Sequence, residues 1–146
     1  MKTIYPTSVW DRLTGPGTPA LTADQHKRAI TRDLEHLLNT RSAVPDDDLA
    51  DLPRCRASIA AFGLADFAQL CLTSSADRKE VCDRIEAAIA LHEPRLAGAR
   101  VQLVQQAGAV NRLSFLITAR LRTDDERVRF DALLEPSSLH YSIGLS

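Results

Sequence analysis

The segment Leu91-His92-Glu93-Pro94-Arg95-Leu96 sets a carboxylate and a guanidinium two residues apart, on either side of a proline. Such a carboxylate serves either as an acid catalyst or as half of an ion pair, and its neighbours decide which. Pro94 disfavours the helical conformation at Glu93, so a helix arriving from the N-terminal side ends there and the chain leaves extended. In an extended segment Glu93 and Arg95 project to the same side, where they either pair with each other or face one partner surface together. A glutamate at a helix C-terminus costs about 0.3–1 kcal/mol unless a cation offsets it. Arg95 is the nearest cation, and an ordinary exposed pair of this kind contributes about 0–1 kcal/mol.

Hydrolytic chemistry asks for more. A glycosidase needs two carboxyl groups about 5–9.5 Å apart, one of them kept protonated near neutral pH. Arg95 favours the charged form of Glu93, the wrong direction for a general acid, although the helix end pushes the other way. No motif nominates a second carboxylate, since Asp66, Asp77 and Asp83 read as helix caps or solvated helix positions. His26, His36, His92 and His140 lack metal-ligand spacing, and His92 near a helix end suits an interaction with the terminal carbonyls. Cys55, Cys71 and Cys82 are odd in number and contain no C-x-x-C pair. They read as small core residues in a reducing compartment, and Cys82 shows no base that would activate it. There is no glycine-rich phosphate loop. Asp46, Asp47, Asp48 and Asp51 lack the glycine and terminal glutamate of a calcium loop and read as a solvated acidic loop. No catalytic residue, metal site or cofactor is therefore expected.

These residues must be positioned by a chain of 146 residues, enough for one domain with a hydrophobic core. Only 5% of residues are aromatic, so that core must consist mostly of Leu, Ile, Val and Ala. A net charge of −1 gives no broad basic field, which argues against nucleic acid as the main partner. No segment approaches the ~20 apolar residues of a membrane span, and the expected location is cytoplasmic.

Val9, Trp10 and Leu13 fit a short helical turn with one apolar side. A turn of that length is marginal in water, so Trp10 must dock on the domain or on a partner. Gly15 to Pro19 reads as a linker, dividing an N-terminal arm, residues 1–20, from a domain at 21–146. Thr22 and Gln25 form a capping box ahead of a helix over about residues 23–40, striped by Ile30, Leu34, Leu37 and Leu38, with Arg32 and Glu35 spaced to interact. Gly63 marks a turn, and Asp66 is positioned to cap a short helix holding Phe67, Leu70 and Cys71. Ser74 or Ser75 caps the helix that carries Val81, Ile85, Ala88 and Ile89 up to Glu93.

Beyond Glu93 the apolar period changes to two. Val101 and Leu103, then Leu113 to Leu121, then Val128 to Leu134 alternate with mostly polar residues, Val104, Leu116 and Leu133 excepted, and are separated by a turn at Gly108 and by Thr123-Asp124-Asp125-Glu126. Short connections make consecutive strands antiparallel neighbours, so the expected fold is α+β: N-terminal helices packed on one face of a C-terminal three-stranded antiparallel β meander. Its outward arginines give a mildly basic outer face. Tyr141 and Ile143 in the tail have no evident place in the core.

Trp10-Asp11-Arg12-Leu13, Asp33-Leu34-Glu35-His36-Leu37-Leu38-Asn39-Thr40-Arg41, Ser58-Ile59 with Phe62-Gly63-Leu64 and Asp66-Phe67, and Glu93-Pro94-Arg95-Leu96 occur in an order that resembles the TssE baseplate subunits of type VI secretion systems. These belong to the contractile-phage baseplate wedge proteins that carry the historical label "lysozyme-like". The resemblance implies a structural protein of the cytoplasm, within a membrane-docked baseplate. It implies the wedge subunits TssF and TssG as partners, near the TssB and TssC sheath. It also implies that Glu93, Pro94 and Arg95 serve subunit packing in the wedge; with Leu96 beside them and Trp10 on its short turn, these are the expected partner-binding residues. An exposed strand edge is the expected receiver of the sheath. The alternatives are a peptidoglycan-hydrolysing lysozyme-like enzyme and a regulatory anti-adaptor-like binding module.

Overall fold

The computed structural model describes residues 4–15, 20–66, 70, 74–104 and 112–146. Helix α1 (Val9–Thr14) is followed by α2 (Ala23–Asn39), a four-residue α3 (Pro53–Arg56) and α4 (Ser75–His92), with 3-10 turns at Asp46–Leu49 and Ile59–Ala61. Strands β1 (Leu96–Val104), β2 (Leu113–Leu121), β3 (Arg127–Glu135) and β4 (His140–Leu145) then form one antiparallel sheet in sequence order. The meander is thus present with its three expected strands, and the tail adds a fourth.

Local chemistry sets the helix ends. The capping box closes α2 as expected: the Gln25 amide donates to Thr22 Oγ1 at 3.3 Å and the Thr22 amide to Gln25 Oε1 at 3.0 Å. Ser74 accepts from the Asp77 amide at the start of α4. The Glu93 amide donates to the Ile89 carbonyl and ends α4, as Pro94 requires. Gly63 has φ +117°, and a Cβ there would lie 2.5 Å from the Thr40 carbonyl oxygen. Only glycine permits that approach, which ties the Gly63 turn to the end of α2 through a parallel bridge between Arg41 and Leu64.

One sheet face packs on α2 and α4. Ile30, Leu34, Leu38, Ile85 and Ile89 meet Phe115, Ile117, Phe130 and Tyr141 in one core cluster. Tyr141 is fully buried, against the expectation that the tail lacks a place in the core. Its segment pairs with β3, Leu134 opposite Tyr141 and Ala132 opposite Ile143.

Both edges of this sheet are engaged by helix side chains. On β4, Asn39 of α2 accepts from the Tyr141 amide and donates to its carbonyl, both at 2.8 Å, while Glu35 accepts from the Ile143 amide at 3.0 Å. On β1, Glu86 of α4 accepts from the Val101 amide at 2.8 Å. The expected exposed strand edge is therefore not open at Val101, Tyr141 or Ile143. Glu35 is committed to β4, and Arg32, expected to interact with it, turns to Asp11 and Asp33 instead.

Cys82 is buried as expected, but Cys55 is exposed on α3, whose short helix contributes no buried residue. Cys71, Phe67 and the turn at Gly108 lie outside the described residues.

Candidate functional site

Glu93 is 4% exposed, so its pair with Arg95 is not the ordinary surface pair that local spacing suggests. Its carboxylate accepts three N–H groups of Arg95: the backbone amide at 3.2 Å, Nε at 2.6 Å and Nη2 at 2.5 Å. The grip is bidentate, the strong geometry for a guanidinium and a carboxylate. Arg95 Nη2 also donates to Asp33 Oδ2 of α2 at 2.7 Å. Burial works against the Arg95 charge, but the hydrogen bonds and the charges of Glu93 and Asp33 prevail and raise its pKa above the ordinary value.

The network continues outward. Asp33 Oδ1 accepts from Arg32 Nε at 3.1 Å, and Arg32 Nη1 donates to Asp11 Oδ1 of α1 at 2.8 Å. The hydrogen bond from Arg32 holds the Asp11 carboxyl below its ordinary pKa despite partial burial, and Ser8 Oγ adds a 2.8 Å donor. Charges thus alternate from Glu93 through Arg95, Asp33 and Arg32 to Asp11. They join the end of α4, the start of β1, α2 and the short N-terminal helix.

That network fixes α1 while leaving its apolar side uncovered. Val9, Trp10 and Leu13 are 72%, 57% and 75% exposed. With Leu37, Phe62 and Pro94, Val9 and Trp10 border an open groove of about 390 Å³ whose floor includes Glu93 and Arg95. Sequence reasoning placed Trp10 and the Glu93–Arg95 segment far apart in the chain, and the fold brings them to one groove. Leu96 is the exception: it points into the core and is 3% exposed, so it anchors Arg95 from below and offers no contact surface.

Farther up the arm, Tyr5 pairs with Leu21, stacks on His26 at 4.8 Å and donates its hydroxyl to Asp124 at 2.6 Å. His92, in the last turn of α4, meets Phe62 edge-on at 5.3 Å.

As chemistry, the site accepts and holds. Glu93 and Asp33 share one guanidinium, so each carboxylate already receives charged donors. Among the described residues, no group of three His, Cys, Asp or Glu side chains could hold a metal ion. No helix among them is long and apolar enough to cross a membrane.

The family model described as baseplate wedge protein gp25 matches residues 24–126, well over half of the chain. No curated protein matches the chain. The crystal structure of a proposed tail lysozyme from Geobacter sulfurreducens has a similar fold, with a TM-score of 0.57 at 16% identity over 81% of this chain and 96% of the other.

Proposed function

The chain belongs to the family of baseplate wedge protein gp25, and from that premise we propose that it is a structural baseplate subunit of a type VI secretion system, joining the wedge to the contractile sheath. Proteins of this family are catalytically inactive structural relatives of lysozyme-like folds. The observation that carries the reading is α1: three large apolar side chains stand exposed on a helix that ion pairs bolt to the Glu93–Arg95 site. A free-standing protein gains nothing from fixing such a surface, whereas a subunit does.

In this reading the wedge subunits TssF and TssG cover the groove between α1 and Pro94. Trp10 enters their surface as an aromatic anchor, and Arg95, whose Nη1 is buried, lines the groove beside it. Glu93 and Leu96 act from beneath by fixing Arg95. The sheath of TssB and TssC lies on another part of the surface, and the protein works in the cytoplasm at a membrane-docked baseplate. Because Val101, Tyr141 and Ile143 already have helix partners, a sheath strand could pair along those residues only by displacing them.

Peptidoglycan hydrolysis is disfavoured by the same pairings, which commit both carboxylate oxygens of Glu93 to Arg95. The test is co-purification with the wedge subunits. Trp10→Ala, at an exposed position, leaves the fold intact and is expected to weaken association at least about tenfold, the scale of an aromatic anchor. Undiminished association of the folded variant would remove the groove from the interface.

A further inference from the structure

The sheet has a second face, turned away from α2 and α4. Pairing places Arg100, Thr118 and Arg129 side by side across β1, β2 and β3, and in the neighbouring row Arg120 stands directly opposite Arg127. All four arginines are exposed. Like charges directly opposite on neighbouring strands are destabilising. The fold gains nothing from that arrangement, since the core is made by the opposite face. Arg100 and Arg120 have carboxylate neighbours at 3.4 Å, the half-buried Glu86, which also holds the Val101 amide, and the exposed Asp125; both arginines are exposed, so these pairs are worth little. Arg127 and Arg129 have no ion pair among the described residues.

The geometry points to this arginine face as a docking surface for an acidic segment of a partner protein. Charge complementarity selects the occupant. Four guanidiniums within two rows of the sheet present forked donors to carboxylates. Leu116 and Leu133, half-buried on the same face, add apolar ground for aliphatic side chains set among the acids. Nucleic acid fits less well. Asp131 interrupts the face, its outward positions carry no Phe, Tyr or Trp on which bases could stack, and the chain as a whole is slightly negative. The inference stands apart from the Trp10 groove, which lies on the helical side.

The experiment uses the full chain and a fluorescein-labelled peptide of glutamates with two leucines, alongside a labelled single-stranded DNA of equal length. At low salt the peptide is expected to bind, and the double variant Arg127→Gln with Arg129→Gln to bind it about tenfold more weakly. A charge-matched control, Arg28→Gln with Arg54→Gln, removes two exposed arginines elsewhere and should bind as the unaltered chain does. Thermal unfolding serves as the second readout: relief of the Arg120–Arg127 repulsion should leave Tm unchanged or raised. The inference is overturned if the peptide fails to bind, if the control loses as much affinity, or if DNA binds more tightly through the same arginines. A lowered Tm in the Arg127, Arg129 variant would equally overturn it, because the arginines would then be structural.

Discussion

Glu93 is buried and receives its charged donors from Arg95, so removing Arg95 leaves an uncompensated carboxylate inside the protein. Breaking such a pair costs far more than losing an exposed one. Arg95→Ala is expected to destabilise the chain by about 3–5 kcal/mol in a urea titration, and a loss below about 1 kcal/mol would show that Glu93 is solvated after all. A binding test at Arg95 therefore mixes folding with recognition, which is why Trp10 is the better probe. Tyr141 presents the opposite case. Its ring is fully buried beside Phe115, and its hydroxyl has no hydrogen-bond partner among the described residues. Burial pushes that hydroxyl up to about 12. Tyr141→Phe should be neutral or stabilising, whereas Tyr141→Ala should cost about 3–5 kcal/mol by leaving a cavity. Equal losses in both would mean the hydroxyl is bonded.

The helices do two jobs, supplying one wall of the core and closing the sheet edges. Asn39 is the clearest instance, since it matches both backbone groups of Tyr141 with one side-chain amide. Asn39→Ala should cost about 1–3 kcal/mol, the range for stranding a buried backbone group. It should also speed amide hydrogen exchange at Tyr141 while leaving β2 protected, and unchanged exchange at Tyr141 would show that the edge is closed by other means. The elements themselves were largely legible in the sequence. The α2 and α4 stripes, the Thr22–Gln25 box and the alternation along β2 and β3 are set by neighbours within a few residues. The edge clamps and the charge network were not. Arg95 meets Asp33 across 62 positions and Asn39 meets Tyr141 across 102, and no local pattern encodes such pairings. Local spacing pointed Arg32 at Glu35, and tertiary geometry assigned each another partner. β4 escaped notice because Ser142 and Gly144 leave it only two inward apolar side chains before the exposed Leu145.

At the scale of the molecule, two histidines tie stability to pH. Burial lowers the pKa of His26, with Arg95 adding to the effect while Glu93 and Asp124 oppose it; Tyr5 covers the ring. Burial likewise lowers that of His92, against the backbone bond to Ala61. The unfolded chain takes up protons near the ordinary 6.5, above the folded values, so the unfolded state holds more protons as the solution acidifies. Stability is full above that pH and falls as pH drops through it. Urea midpoints measured from pH 7.5 to 5 should decline, and His26→Leu should flatten the decline; a midpoint that rises on acidification would refute the assignment. The larger claim is that a rigid α+β body displays an apolar arm and the Glu93–Arg95 groove to its assembly partners. It is tested most directly by a photo-crosslinking amino acid at position 10 in cells making the complete baseplate. Crosslinks from that position to the wedge subunits are the predicted result, while their absence in assembled baseplates, with Trp10 still open to solvent, would contradict it.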